Sequence, residues 1–277
     1  MSKDQDDQNS KNKARFSTGA APLNEYTISH SELEYELARE KLYAFLASVY
    51  LQPASGEFLK QVQEVSLFDS LCELFAENSA TQLKAYFQML KPEAIEQEAT
   101  VLKRVYMDLF SVPTGAYVAP YEDIYRGKSL DGQTLKGPLL GVRAIAAKRI
   151  YREAGARMEE TCRELPTHIG VELSFMRFLC AQEIMHLNDG QTQSDDSSDE
   201  TPSQAEVYRG YQLRFLAEHL TRWFPLLNEE IQHKSGHIFY KSLAQLTHEF
   251  LLADFEILKN DMIFSAAENA GRVHAAQ

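Results

Sequence analysis

Residues 166–176 read Pro-Thr-His-Ile-Gly-Val-Glu-Leu-Ser-Phe-Met, and they say more about the fold than any other part of the chain. From Ile169 to Ile184 the apolar residues recur at helical spacing, which predicts a long amphipathic helix over 167–187. At its start, His168 and Glu172 lie four residues apart and therefore share one helix face.

The chain on both sides of this stretch also has a helical pattern. Helices are predicted over 31–52, 55–67, 69–77, 80–90, 92–110, 139–163 and 207–223, with a last helical stretch through Leu258. No segment alternates with a period of two for long enough to predict a sheet. The predicted fold class is all-α, a single globular bundle of about ten helices.

Composition sets the boundaries of this bundle. Residues 1–30 are polar, with few large apolar side chains, so we expect a disordered N-terminal tail. The helical domain is predicted over 31–265, followed by a C-terminal tail over 266–277. Inside the domain, residues 189–205 are rich in Gly, Gln, Ser and Asp and predict a flexible acidic insertion.

Net charge, cysteine spacing and targeting signals limit the classes of protein to which this chain can belong. The chain has 28 basic and 40 acidic residues and a net charge of -12, which disfavours nucleic acid and anionic membranes and favours a basic partner. Three widely spaced cysteines indicate neither a disulfide framework nor a zinc site. There is no secretory signal, and no apolar run is long enough for a membrane span. We therefore expect a cytoplasmic protein without membrane insertion.

A second informative stretch is Ala119-Pro120-Tyr121-Glu122-Asp123-Ile124-Tyr125. It lies in a segment of about 25 residues broken by glycine and proline, a length that in a compact domain indicates a functional loop. Tyr117, Tyr121 and Tyr125 recur at every fourth position around it. The tyrosines either anchor this loop on the core or line a binding surface, and both interpretations remain open.

Catalytic motifs give little support for an enzyme. The sequence lacks His-Glu-x-x-His, Gly-x-Ser-x-Gly and Gly-x-Gly-x-x-Gly. His168 and Glu172 offer two metal ligands or an acid/base pair, but a third convergent group is missing. Alternatively, His168 satisfies free backbone groups at the helix start and Glu172 is a solvated acid, or both face a binding groove where Glu172 pairs with an arginine. No cofactor, metal ion or catalytic residue is predicted.

Three motifs in order resemble the TorD/DmsD family of redox-enzyme maturation chaperones, within the NarJ-like superfamily. They are residues 106–110 (Tyr-Met-Asp-Leu-Phe), residues 120–125 and residues 166–176. The resemblance covers about residues 32–260 and implies an all-helical cytoplasmic chaperone. It implies that the protein binds the twin-arginine leader of a molybdenum-containing oxidoreductase precursor and holds the apoenzyme until its cofactor is inserted. The family motif reads Pro-Asp-His where this chain has Pro166-Thr167-His168, so a negative charge is lost while an oxygen that can cap the helix remains.

These observations predict a groove in which glutamates meet the leader arginines and aromatic residues meet its apolar segment. The predicted peptide-binding residues are Tyr117, Pro120, Tyr121, Glu122, Tyr125, Pro166, Thr167, His168, Glu172 and Phe175. The protein is expected to be a monomer or a homodimer. Two alternatives remain open: a helical scaffold or assembly factor that binds a folded enzyme subunit, and a metal-dependent enzyme using His168 and Glu172.

Overall fold

The computed structural model describes residues 30–64, 77–113, 116–126, 139–190 and 203–275. Within these ranges the chain forms ten α-helices and no extended strand, and Tyr121 and His168 form an isolated β-bridge. The predicted all-α class and the single helical bundle are confirmed. None of the helices in the described part of the chain combines the length and apolar character that a membrane span requires.

The ten helices are numbered in chain order. They are α1 (His30–Leu51), α2 (Gly56–Glu64), α3 (Glu77–Met89), α4 (Ile95–Tyr106), α5 (Glu122–Tyr125), α6 (Val142–Glu153), α7 (Ile169–Gly190), α8 (Gln204–Phe215), α9 (Thr221–Lys234) and α10 (Ile238–Ala275). A 3-10 turn, Pro92–Ala94, precedes α4, and a π-helical turn, Met107–Ser111, follows it. A second π-helical turn, Leu216–Leu220, joins α8 to α9.

Helix α7 lies at the centre of the bundle and packs most extensively on α1 and α8. All residues from Pro166 to Met176 are buried. The prediction of an amphipathic helix is therefore wrong for its first two turns, because neighbouring helices cover the polar side as well as the apolar side. This complete burial places His168 and Glu172 inside the protein.

The long helix predicted over 139–163 is wrong at its C-terminal end. Helix α6 ends at Glu153, and Gly155 adopts a φ of 77°. The Ala156 amide then donates to the Tyr151 carbonyl over 2.8 Å, which closes the helix as a left-handed C-terminal glycine commonly does. The chain is irregular from there to the start of α7.

The predicted tails and the predicted insertion can be compared with the structure where their residues are described. The N-terminal tail up to residue 29, the predicted helix over 69–76 and residues 191–202 of the acidic insertion lie outside the described residues. At the C-terminal end of the predicted insertion, Ser203 and Glu206 form a reciprocal capping box that starts α8. At the other end, α10 continues to Ala275, so the segment 266–277 is helical up to that residue.

Candidate functional site

The two stretches singled out in the sequence lie against each other. Tyr121 and His168 pair in an antiparallel bridge. On either side of it, the Glu122 amide donates to the Thr167 carbonyl and the Ile169 amide donates to the Pro120 carbonyl, both over 2.9 Å. The loop before α5 is thereby fixed to the start of α7.

The side chains of the second stretch reinforce this junction. His168 Nδ1 accepts a hydrogen bond from the Gly170 amide over 3.1 Å, so His168 satisfies a backbone group at the helix start as one of the sequence interpretations proposed. Thr167 does not cap the helix, because the Gly170 amide already donates to His168; the Thr167 hydroxyl instead donates to Asp123 over 2.9 Å. The Tyr151 hydroxyl donates to the Pro166 carbonyl over 2.7 Å and fixes the turn before α7.

Glu122 is the charged centre of the junction. It has no solvent exposure, and its Oε1 accepts from Arg126 while its Oε2 lies 2.6 Å from His219 Nδ1. Arg126 also donates to the Glu218 carbonyl. The carboxylate is therefore neutralised by the chain's own side chains.

Glu172 lies next to this centre and is also fully buried. Its Oε2 accepts a hydrogen bond from Trp223 Nε1 over 2.9 Å, while among the described residues Oε1 has no hydrogen-bond partner. Burial raises the pKa of Glu172 well above its usual value, and the Glu122 carboxylate raises it further. When Glu172 is neutral, its carboxyl O–H can donate a hydrogen bond to Glu122, which removes the repulsion between the two carboxyl groups.

The burial of Glu172 leads to a prediction about stability and pH. Because its pKa is higher in the folded protein than in the unfolded chain, its stabilising contribution is present at acid pH and is lost as pH rises above the unfolded value. Glutamine at position 172 can accept from Trp223 and donate to Glu122 without carrying a charge. We expect it to raise the free energy of unfolding at pH 8 and to have little effect at pH 4, measured by urea denaturation with a chelator present. A variant less stable than wild type at pH 8 would contradict this account of Glu172.

Three tyrosines and two acids form the partly exposed side of the junction, which we call the tyrosine rim: Tyr117, Tyr121, Tyr125, Glu164 and Glu230. The Tyr121 hydroxyl donates to Glu164 over 3.0 Å, and the Tyr125 hydroxyl donates to Glu230 over 3.3 Å. Burial raises the pKa of all three tyrosines, and their nearby carboxylates raise it further. Each of the two rim acids is 30% exposed, and Glu230 also pairs with Lys234 over 3.2 Å.

The structure thus divides the predicted residues into two groups. Both glutamates were expected to face an open groove, and their burial corrects that expectation, because Arg126, His219 and Trp223 cover them. The other buried members are Pro120, Pro166, Thr167, His168 and Phe175. The partly exposed members are Tyr117, Tyr121 and Tyr125.

Sequence reasoning did not identify Arg126, His219 and Trp223. His219 lies in the π-helical turn and Trp223 in the first turn of α9. They contact Glu122 and Glu172 across 97 and 51 residues of sequence respectively, so no local spacing connects them. Two signals were available: Arg126 lies four residues after Glu122, and Trp223 is the only tryptophan in the chain.

The same cluster contains groups able to hold a metal ion. Glu122, Glu172 and His219 are buried, and each offers one ligand atom within 4.8 Å of the other two. His168, which the sequence suggested as a ligand together with Glu172, is not a member of this group. Its Nδ1 is instead used by the backbone of α7.

Comparison with known proteins agrees with the motifs. The chain is 26% identical to the perchlorate reductase assembly chaperone protein of Dechloromonas aromatica over 235 residues, 81% of this chain and 91% of that protein. It is 23% identical to the chaperone protein TorD of Vibrio cholerae over 220 residues, 78% of this chain and 90% of that protein. Over 84 residues, 30% of this chain and 37% of the relative, it is 31% identical to the selenate reductase assembly chaperone protein of Thauera selenatis.

All three relatives are named as chaperones, and none of the three is named as an enzyme. The family model described as nitrate reductase delta subunit matches residues 68–229, which is more than half of the chain and includes both motifs of the junction. The protein therefore belongs to the nitrate reductase delta subunit family, which includes the TorD-type chaperones that its sequence resembles.

Proposed function

We propose that this protein is a cytoplasmic chaperone for the maturation of a molybdenum-containing oxidoreductase. It binds the twin-arginine leader of the enzyme precursor and holds the apoenzyme until the cofactor is inserted. The family match and the relatives named as reductase assembly chaperones support the maturation role. The net charge of -12 suits a basic leader, because it raises the local concentration of cationic peptides.

The observation that carries the leader-binding proposal is the tyrosine rim. It joins both motifs at one surface where three half-buried phenol rings lie beside two partly exposed carboxylates. Arginine guanidinium groups form paired hydrogen bonds with carboxylates and stack on aromatic faces. We assign the two leader arginines to Glu164 and Glu230, and the tyrosine rings to the leader segment between and beside them.

In this proposal the buried predicted residues act by positioning the rim. Glu122 holds Arg126 and His219 around α5, and Glu172 holds Trp223, against which Tyr125 stacks with ring centroids 5.6 Å apart. Tyr121 likewise contacts the His168 ring at 5.2 Å. Tyr121 therefore rests on a buried member of the motif at residues 166–176, and Tyr125 rests on a tryptophan that Glu172 holds.

Titration with a leader peptide tests this assignment. The peptide has two adjacent arginines followed by an apolar run, and binding is measured by calorimetry. We expect Glu164→Gln with Glu230→Gln to raise Kd about tenfold, because two partly exposed charged contacts contribute roughly 0.7 kcal/mol each. Replacing the two peptide arginines with glutamine should weaken binding to wild type by a similar factor.

The matched control is Glu57→Gln with Glu93→Gln, two exposed acids on α2 and on the turn before α4. This pair changes the net charge by the same amount but lies outside the rim, so a Kd close to that of wild type is expected. Equal losses in both double variants would show that long-range charge explains the binding. Unchanged affinity of the Glu164/Glu230 variant would remove the rim from the proposal.

A further inference from the structure

Glu122, Glu172 and His219 come from three separate elements and converge inside the bundle. Glu122 begins α5, Glu172 lies in the first turn of α7, and His219 lies in the π-helical turn before α9. All three are at least 98% buried, and their ligand atoms lie within 4.8 Å of one another. A buried group of two carboxyls and an imidazole requires partners that balance its charge.

In both Glu122 and Glu172, one carboxyl oxygen is held by an outer donor, which leaves the other oxygen for the centre of this group. Arg126 holds Oε1 of Glu122, and Trp223 holds Oε2 of Glu172. Donors on the outer oxygen of a ligating carboxylate are the usual support of a metal site, because they fix its orientation. The inner atoms are Glu122 Oε2, Glu172 Oε1 and His219 Nδ1.

The environment of Glu172 Oε1 independently supports a site for a bound cation. It is fully buried and has no hydrogen-bond partner among the described residues. A buried oxygen without a donor is costly, and this one lies beside a second carboxylate that cannot donate to it. A proton satisfies the contact with Glu122, but a cation satisfies both carboxylates and the imidazole together.

The His219 ring is also held in place. It stacks on Phe215 with ring centroids 4.7 Å apart, and its Nδ1 lies 2.6 Å from Glu122 Oε2. Single π-helical turns within α-helices are often found at functional sites, because the extra residue redirects the side chains that follow. Here the turn places His219 towards Glu122 and Trp223 towards Glu172.

From this geometry we infer that Glu122, Glu172 and His219 form a binding site for a divalent first-row transition-metal ion. An imidazole nitrogen with two carboxylate oxygens suits Zn²⁺, Fe²⁺ or Co²⁺ better than Mg²⁺ or Ca²⁺, which prefer oxygen ligands alone. The ion takes the place of the proton between His219 and Glu122 and of the proton on Glu172. Three protein ligands leave a further coordination position for water.

Arg126 is a partly exposed contact of this group: its side chain is 18% exposed and donates to the buried Glu122. The inference does not depend on leader binding, because none of the three ligands belongs to the tyrosine rim.

Cobalt titration of the full chain tests the site. The protein is first dialysed against a chelator, and Co²⁺ binding is followed by visible absorption and calorimetry. We expect one Co²⁺ per chain, and a loss in affinity of at least about 100-fold for Glu172→Gln and for His219→Gln. His233→Gln changes an exposed histidine on α9 and is the matched control, with unchanged affinity expected.

Glu172→Gln is the sharpest variant because glutamine accepts from Trp223 and donates to Glu122 while lacking the anionic oxygen. Equal Co²⁺ affinity in wild type and Glu172→Gln would overturn the inference, as would absence of stoichiometric binding to wild type. If circular dichroism shows that a variant is unfolded, Co²⁺ binding to the wild type still tests the site. A paramagnetically shifted imidazole signal in its Co²⁺ NMR spectrum supports the site, and its absence overturns it.

Discussion

Replacing Arg39 with methionine is expected to lower the free energy of unfolding by about 3–5 kcal/mol. Arg39 lies on α1 and has no solvent exposure. Its guanidinium donates to Asp254 over 2.6 Å, to Glu36 over 2.5 Å and to Gln212 over 2.6 Å, which connects α1 to α10 and α8. Removal of the cation leaves these buried acids without their common partner.

The effect of this substitution should depend on pH. Burial raises the pKa of Glu36 to about 7 even with Arg39 beside it, so its stabilising contribution is present below pH 4.5 and is lost as pH rises through 7. Without Arg39 this pKa rises further, and so does the cost of ionising the buried acids. We therefore expect a larger loss of stability at pH 8 than at pH 5.

Urea denaturation followed by circular dichroism measures this loss. The control is Arg149→Met on α6, where Arg149 is 56% exposed and pairs with Glu153 at 3.5 Å. Exposed pairs of this kind contribute little, so a change within about 0.5 kcal/mol is expected. Similar losses in the two variants would show that the buried network is not what joins these helices.

The second large effect is expected at Gly170, in the motif at the start of α7. A Cβ atom there would meet Leu51 Cδ2 at 2.7 Å and the Ala47 carbonyl oxygen at 3.2 Å. Both atoms belong to α1, which shares its largest interface with α7. Because the Ala47 backbone cannot rotate away, Gly170→Val should force the two helices apart and lower the free energy of unfolding by about 3 kcal/mol.

Gly210 on α8 offers a matched control for this substitution. A Cβ atom at Gly210 would meet no heavy atom within 4 Å, so Gly210→Val tests helix preference without a packing clash. Valine is a better helix former than glycine, and an unchanged or slightly raised stability is expected. If thermal and urea denaturation gave equal results for the two valine variants, close packing at Gly170 would not explain its place in the motif.

The sequence predicted the helical class well because apolar spacing is a local property. Helix α7 was predicted over 167–187 and extends over 169–190. The C-terminus of α6 was predicted wrongly, also for a local reason. Ala154 and Gly155 continue a regular helical pattern in the sequence, and only the positive φ of Gly155 in the structure marks the end of the helix. Small residues that continue a pattern do not indicate whether the backbone follows it.

The environment of the site was less predictable because distant residues create it. Glu122 and Glu172 have the charge that a peptide groove needs, and nothing next to them in sequence indicates burial. Their burial depends on His219 and Trp223, which lie on the π-helical turn after α8 and on α9, far from the two glutamates in sequence. The residue types and the family resemblance predicted that the two motifs act together, but not which of their side chains reach solvent.

The most direct test of the central claim is hydrogen exchange on the full chain with and without the leader peptide. The account predicts slower exchange of backbone amides in residues 117–126 and 164–170 with the arginine peptide, and no change with the glutamine peptide. Protection confined to the exposed apolar residues around Val142 and Ile145, which are 77% and 68% exposed, would contradict it. So would equal protection by both peptides, because the rim would then not recognise arginine.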